Sequence, residues 1–286
     1  MKSTKVLWRI VGSIAFISTL LFVFGFVYAT QDIINPKPSG LNEDQTPTNT
    51  ITELFPQGEL TLLALGDSLT KGTGDLSGDG GYVGKTKKKL AELTKKPVNV
   101  VNEAVSGWRV DDLLNSLKRP NMQNLVRNAD IVLLTIGGNN LNHASDNPIE
   151  VTNSKAQATP APAETKAPLV QSEINYREIN KNLSAFEGKL DQILTKIAML
   201  NPKAKIAYVG LYNPYYLQDS TKEGTVILQE WNLKANQIAN RFPNMIVVPS
   251  FDLFQLEIKK YLYIDEFHPN SLGYERIANR VVQALQ

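Results

Sequence analysis

Two hydrophobic patterns divide the chain. From Ile10 to Ala29 no residue is charged, and Leu, Ile, Val and Phe dominate. About 20 helical residues cover the hydrocarbon core of a bilayer, so this run reads as an N-terminal transmembrane helix. Further on, the apolar runs are short: Leu60–Leu65, Val98–Asn102, Ile131–Ile136, Lys205–Leu211 and Met245–Val248. Continuous short runs of this kind mark strands covered on both faces. Candidate helices lie between and after them, near 82–95, 110–127, 174–200, 223–241 and 271–285, with Pro97, Pro202 and Pro243 at helix-to-strand joints. Strands alternating with helices predict an α/β domain with a parallel sheet and right-handed crossovers.

Two polar stretches interrupt this pattern. Residues 30–58 are rich in Pro, Asn, Thr, Gln and Gly and read as a flexible stem. Residues 144–172, centred on Ala156-Gln157-Ala158-Thr159-Pro160-Ala161-Pro162-Ala163, cannot build a core and read as a solvated insertion or a lid. The expected organisation is an anchor over 1–29, a stem over 30–58 and one domain over 59–286 that carries the insertion.

Charge sharpens the reading of the N-terminus. Lys and Arg number 30 against 28 Asp and Glu, and three of the 30 are Lys2, Lys5 and Arg9. A basic flank before the apolar run places the N-terminus in the cytoplasm and the domain outside. A signal peptide cleaved after Val27-Tyr28-Ala29 is the competing reading, although the run is long for one. Both readings export the domain, to the outer face of the cell membrane or as a secreted protein. The near-neutral remainder does not suit nucleic acid.

The residue inventory narrows the chemistry. The chain has no Cys, which excludes a disulfide framework, a thiol nucleophile and a Cys-based zinc site. It has two histidines, His143 and His268, too few for a multi-His metal centre. No metal or organic cofactor is expected.

In open parallel sheets the ligand site lies beyond the carboxyl ends of the strands. Ser68 follows the first strand in Gly66-Asp67-Ser68-Leu69-Thr70. A serine hydroxyl needs a base, and an imidazole base needs an acid to hold its tautomer. His268 has Asp265 three residues before it, a spacing that lets one loop present both. An oxyanion would need donors such as the Ser68 N–H, the Gly107 N–H and the Asn139 side-chain amide. Tyr212, Tyr215 and Tyr216 follow the fourth strand, where they could line a groove or simply pack. His143 reads as a surface residue. Gly84-Lys85-Thr86 imitates the end of a phosphate-binding loop, but Asp79 stands where that loop needs Gly. Lys85, Lys87, Lys88 and Lys89 therefore read as a solvated helix face.

These segments resemble the blocks of the SGNH, or GDSL, hydrolase family. Gly66-Asp67-Ser68-Leu69-Thr70 is similar to the first block, and Asn102 to Gly107 to the second. Gly137-Gly138-Asn139-Asn140 is similar to the third, and Asp265-Glu266-Phe267-His268 to the fifth. They appear in the family's order and span roughly 58–286. The resemblance implies a three-layer α/β/α sandwich with a five-stranded parallel sheet, flavodoxin-like. It also implies an esterase or lipase with Ser68, His268 and Asp265 as catalytic residues and Ser68, Gly107 and Asn139 as the oxyanion hole. Asn140 departs from the family's Asp, which leaves its local hydrogen bonding open. The substrate is an ester, of a lipid or of an O-acetylated envelope glycan. A noncatalytic envelope-binding protein on the same scaffold is the reading of another class. Oligomeric state is not legible.

Overall fold

The computed structural model describes residues 2–34, 58–142 and 176–286. His143, the insertion at 144–172 and most of the stem lie outside the described residues. The chain forms two compact units, Met1–Thr48 and Asn49–Gln286.

The first unit contains α1 (Lys2–Ile34), a single helix that overruns the expected span of 10–29 at both ends. Its described apolar side chains, including Phe16, Leu21, Phe22 and Phe24, are exposed. Among the described residues no helix is long and apolar enough to cross a membrane. The helix is therefore observed, and the transmembrane reading is not shown by it.

The second unit is a three-layer sandwich. Five parallel strands, β1 (Leu60–Gly66), β2 (Val98–Asn102), β3 (Ile131–Thr135), β4 (Lys205–Val209) and β5 (Met245–Val248), lie in the order β2-β1-β3-β4-β5. The alternating direction of successive side chains sorts the strand residues between two cores. From β1, Leu60, Leu62 and Ala64 face one core, and Leu63 and Leu65 face the other. The first core is closed by α3 (Gly81–Thr94) and α11 (Ser271–Leu285), through Tyr82, Leu90, Tyr274 and Val281. The second is closed by α4 (Val110–Ser116), α5 (Pro120–Arg127), α7 (Tyr176–Leu200) and α8 (Glu223–Ala239), with Trp231 at its centre. Both faces of the sheet are covered, which is why its strands read as unbroken apolar runs.

Four short helices escape the apolar pattern: α2 (Ser68–Lys71), α6 (Gly138–Asn142), α9 (Phe251–Gln255) and α10 (Ile258–Tyr261). The helix expected over 110–127 is two helices. Pro120 has no N–H to continue the first, so it takes the opening position of the second. The phosphate-loop imitation is helical: Gly84, Lys85 and Thr86 all lie in α3. Lys85 corrects the expectation of a solvated lysine face. It is buried, and its ammonium is 2.9 Å from Asp79, 3.3 Å from the Ser77 hydroxyl and 3.1 Å from that of Ser271. Lys87 and Lys88 are exposed as expected.

The sheet order reverses between β1 and β3, where a crevice opens at the strands' carboxyl ends. Gly66 sits there at φ +123°, and a Cβ on it would come 1.8 Å from the Thr135 carbonyl oxygen. Gly66→Ala is therefore expected to destabilise the unit by about 3 kcal/mol or more. The measurement is urea unfolding of the full chain; a midpoint equal to that of the wild type would refute this account.

Candidate active site

Ser68 begins α2 directly after the last residues of β1. Asp67 caps this turn, and its Oδ1 accepts from the Leu69 N–H at 3.1 Å and from the Thr135 hydroxyl at 2.6 Å. The network continues away from the crevice. Thr70 Oγ1 lies 2.8 Å from Thr135 Oγ1, 2.8 Å from the Tyr82 hydroxyl and 3.1 Å from the Thr135 N–H, which donates to it. Each hydroxyl has one proton to give. With Asp67 as the final acceptor, the direction is fixed: Tyr82 donates to Thr70, Thr70 to Thr135, and Thr135 to Asp67. All four residues are buried, so the turn carrying Ser68 rests on a fully internal polar chain.

The segment after β2 is pinned to the end of β1. The Glu103 N–H donates to the Ala64 carbonyl at 2.9 Å and the Val105 N–H to the Gly66 carbonyl at 3.0 Å. Asn102 joins in, with Nδ2 donating to the Thr70 carbonyl at 3.1 Å. This brings the Val105–Trp108 turn beside the Ser68 turn. Gly107 occupies it at φ +85° with open space where a Cβ would stand. Conformation, not crowding, thus calls for glycine there.

Asn139 and Asn140 open α6 after β3. Asn139 Nδ2 donates one hydrogen to the Trp108 carbonyl at 2.8 Å, which fixes the orientation of the amide. Asn140 answers the question raised by its difference from aspartate. It is buried, and its Oδ1 accepts from the Val110 N–H at 3.0 Å, a task that needs only an acceptor oxygen.

The last loop presents the imidazole. His268 Nε2 is 2.8 Å from Ser68 Oγ, and His268 Nδ1 is 2.7 Å from Asp265 Oδ2. Asp265 Oδ1 accepts from the Phe267 and His268 N–H groups at 3.0 and 2.9 Å. Partial burial tends to raise the Asp265 carboxyl, but the hydrogen bonds from the imidazole and the two N–H groups outweigh it. The net effect holds this carboxyl below its ordinary range. Below the loop, Asn270 caps α11, with Oδ1 accepting from Leu272 and Gly273 N–H at 3.0 Å each.

Ser68, His268 and Asp265 thus form one hydrogen-bonded chain. Nδ1–H facing the carboxylate leaves Nε2 to accept from the serine hydroxyl. Such an arrangement can activate an oxygen nucleophile. Among the described residues there is no cluster of His, Asp and Glu able to hold a metal ion.

Of the three tyrosines after β4, Tyr212 is buried in the core, and Tyr215 and Tyr216 are half-buried. Tyr212 does not line a groove; its hydroxyl donates to the Phe267 carbonyl at 2.6 Å. The Tyr82–Thr70–Thr135–Asp67 chain and this Tyr212 contact carry no sequence signature. Their partners are far apart in the chain and are otherwise ordinary core residues.

Burial pushes the Asp67 carboxyl upward; the Thr135 and Leu69 hydrogen bonds and the charge of His268 only partly offset this. An acid raised in the fold keeps a proton that the unfolded chain releases, so stability falls as pH climbs from about 4 toward the raised value. Asp67→Asn retains an acceptor oxygen and lacks that titration. Its melting temperature should gain on the wild type as pH rises from about 4; parallel pH curves would contradict the assignment.

The chain is similar to other proteins over most of this unit. The sequence model of the GDSL-like Lipase/Acylhydrolase family matches residues 64–276. An uncharacterized protein of Bacillus subtilis, YpmR, is 33% identical over 79% of this chain and 82% of its own length. The spore germination lipase LipC of Bacillus licheniformis is 27% identical over 78% of this chain and 94% of its own length. Among solved structures, the lipase Lip_vut3 from a goat rumen metagenome has a TM-score of 0.64 at 25% identity, covering 79% of this chain and 100% of that one. A lipase/acylhydrolase from Enterococcus faecalis shares the fold, with a TM-score of 0.53 at 16% identity over 79% of this chain and 95% of that one. The matched residues include the Ser68 turn, the Gly107 turn, Asn139 and the Asp265–His268 loop, and the chain belongs to the GDSL-like lipase/acylhydrolase family of ester hydrolases.

Proposed function

We propose that this ester hydrolase is a serine enzyme that works outside the cytoplasm on acyl esters, with Ser68, His268 and Asp265 as its catalytic residues. One observation carries the reading: the continuous hydrogen-bonded chain from Ser68 Oγ through His268 to Asp265, at 2.8 and 2.7 Å.

The reaction runs in two halves. Ser68 Oγ attacks the ester carbonyl carbon while His268 Nε2 takes the hydroxyl proton. The charge that develops on the imidazole is met by Asp265 at Nδ1. The carbonyl oxygen becomes an oxyanion, and the donors for it are the Ser68 N–H, the Gly107 N–H and the second hydrogen of Asn139 Nδ2. The first hydrogen of that amide is spent on the Trp108 carbonyl, which aims the second. The tetrahedral intermediate collapses, the C–O bond to the alcohol breaks, and His268 returns the proton to the departing oxygen. Water then repeats the sequence on the acyl-serine and releases the acid. The carboxyl of Asp265, held below its ordinary range, stays ionised wherever His268 is able to act as a base.

Location rests on the N-terminus. The basic residues Lys2, Lys5 and Arg9, the apolar run that follows and the exposed side chains of α1 support a tether in the membrane with the hydrolase on the outer face. A tethered hydrolase meets lipid esters directly, and the names of two relatives, a spore germination lipase and a metagenomic lipase, point the same way. An O-acetylated envelope glycan is the other ester within reach.

Ser68→Ala should lower kcat on p-nitrophenyl butyrate by about 1,000-fold or more in the full chain. A fluorophosphonate should label Ser68 in the wild type only. Near-wild-type activity of the alanine variant would sink the mechanism. The acyl-length profile separates the substrates: preference for longer chains supports the lipid ester, and strict acetyl preference the glycan.

A further inference from the structure

The loop that presents Asp265 and His268 is held in a conformation that costs it energy. Glu266, between them, is one of three non-glycine residues at positive φ among the described residues, at +55°. A side chain with a Cβ resists that left-handed region. Glu266 turns left between Asp265 and His268, and Asp265 Oδ1 takes both the Phe267 and the His268 N–H. The side chain of Asp265 is 37% exposed, so water competes for these bonds. Strain of this kind persists where the surroundings over-determine it.

The restraint comes from the core. Where β4 ends, the Gly210 N–H donates to the Val248 carbonyl at 2.9 Å, and Leu211 exchanges two hydrogen bonds with the Asn232 amide, at 2.8 and 2.9 Å. That clamp sets the direction of Tyr212. Its ring stacks on Phe254, with centroids 4.1 Å apart and planes 21° from parallel. Its hydroxyl then meets the Phe267 carbonyl at 2.6 Å. Phe267 in turn sets its ring edge-on to His268, with centroids 4.9 Å apart. Burial raises the Tyr212 phenol far above its ordinary range, so it remains a donor at any working pH.

We propose that Tyr212 is a positioning residue for the Asp265–His268 pair, its hydroxyl acting as a strut from the end of β4 that holds the left-handed turn at Glu266. This rests on the reading of Ser68, His268 and Asp265 as nucleophile, base and orienting acid. Tyr212 touches no reacting atom. It acts through the Phe267 carbonyl, on the turn that makes Asp265 face Nδ1. Without the strut, Glu266 relaxes toward ordinary backbone angles, and Asp265 no longer meets the imidazole squarely. Asp265 is in direct contact with His268.

Tyr212→Phe keeps the ring stack and removes only the hydroxyl. In the full chain it should lower kcat on p-nitrophenyl butyrate by about 10- to 100-fold with KM within about twofold. Fluorophosphonate labelling of Ser68 should slow by a similar factor. Adding Glu266→Asn should return part of the lost rate, since asparagine accepts the left-handed region more readily. A wild-type kcat in Tyr212→Phe would overturn the proposal. So would a loss of rate that only follows the unfolded fraction and that Glu266→Asn leaves unrelieved. If the wild-type chain itself is not labelled at Ser68, the serine reading fails, and the strut falls with it.

Discussion

A carboxyl group without access to water lies directly beside Ser68, and much of the crevice is arranged around satisfying it. Asp67 can be buried because it receives the Leu69 N–H and the Thr135 hydroxyl. A buried carboxyl lacking such partners would cost several kcal/mol. Those two donors come from different elements, the turn after β1 and the last residue of β3. The hydrogen bonds therefore hold the two strand ends together at the point where the sheet order reverses. Thr70 and Tyr82 extend the same chain into the helix that covers the sheet, and Gly66 allows the strand ends to approach. The result is a serine on a turn that cannot shift without breaking buried hydrogen bonds.

The other half of the site is built on different terms. The Asp265–His268 loop is more exposed and includes a strained residue, and it reaches the serine across 200 positions of sequence. It is steadied below by the cap that Asn270 places on α11, and from the side by the Tyr212 hydroxyl. A serine anchored on buried polar groups thus faces an imidazole carried on a surface loop.

Much of this could be read from the residues in order. The five strands appear as apolar runs because helices cover both faces of the sheet, and the structure returns them to within two residues. Ser68, Asp265 and His268 stand out because their residue types and spacing limit what they can do. The helix expected over 110–127 divides at Pro120, a signal that was present but outweighed by the surrounding pattern. The short helices α2, α6, α9 and α10 were not legible, since four or five residues are too few for a period to show. Lys85 departs from the expectation for a related reason. A lysine among lysines on a helix looks solvated, and only the return of the Asp75–Asp79 loop and of Ser271 shows that it is enclosed.

The sequence by itself determined the fold class, the family and the identity of the Ser–His–Asp chain. The fold class follows from runs of apolar side chains, and the family and the assignment of Ser68, His268 and Asp265 follow from the resemblance of four short blocks to those of a known family. The tertiary structure decided what surrounds those residues. It made Asp67 the end of a buried hydrogen-bond chain, turned Tyr212 from a groove candidate into a strut, and showed that Asn140 can serve where an aspartate is usual. These are contacts between residues that are distant in sequence, at angles set by strand register and helix packing. No local pattern encodes them, because the energy that selects them is that of satisfying buried polar groups once the whole sheet has formed.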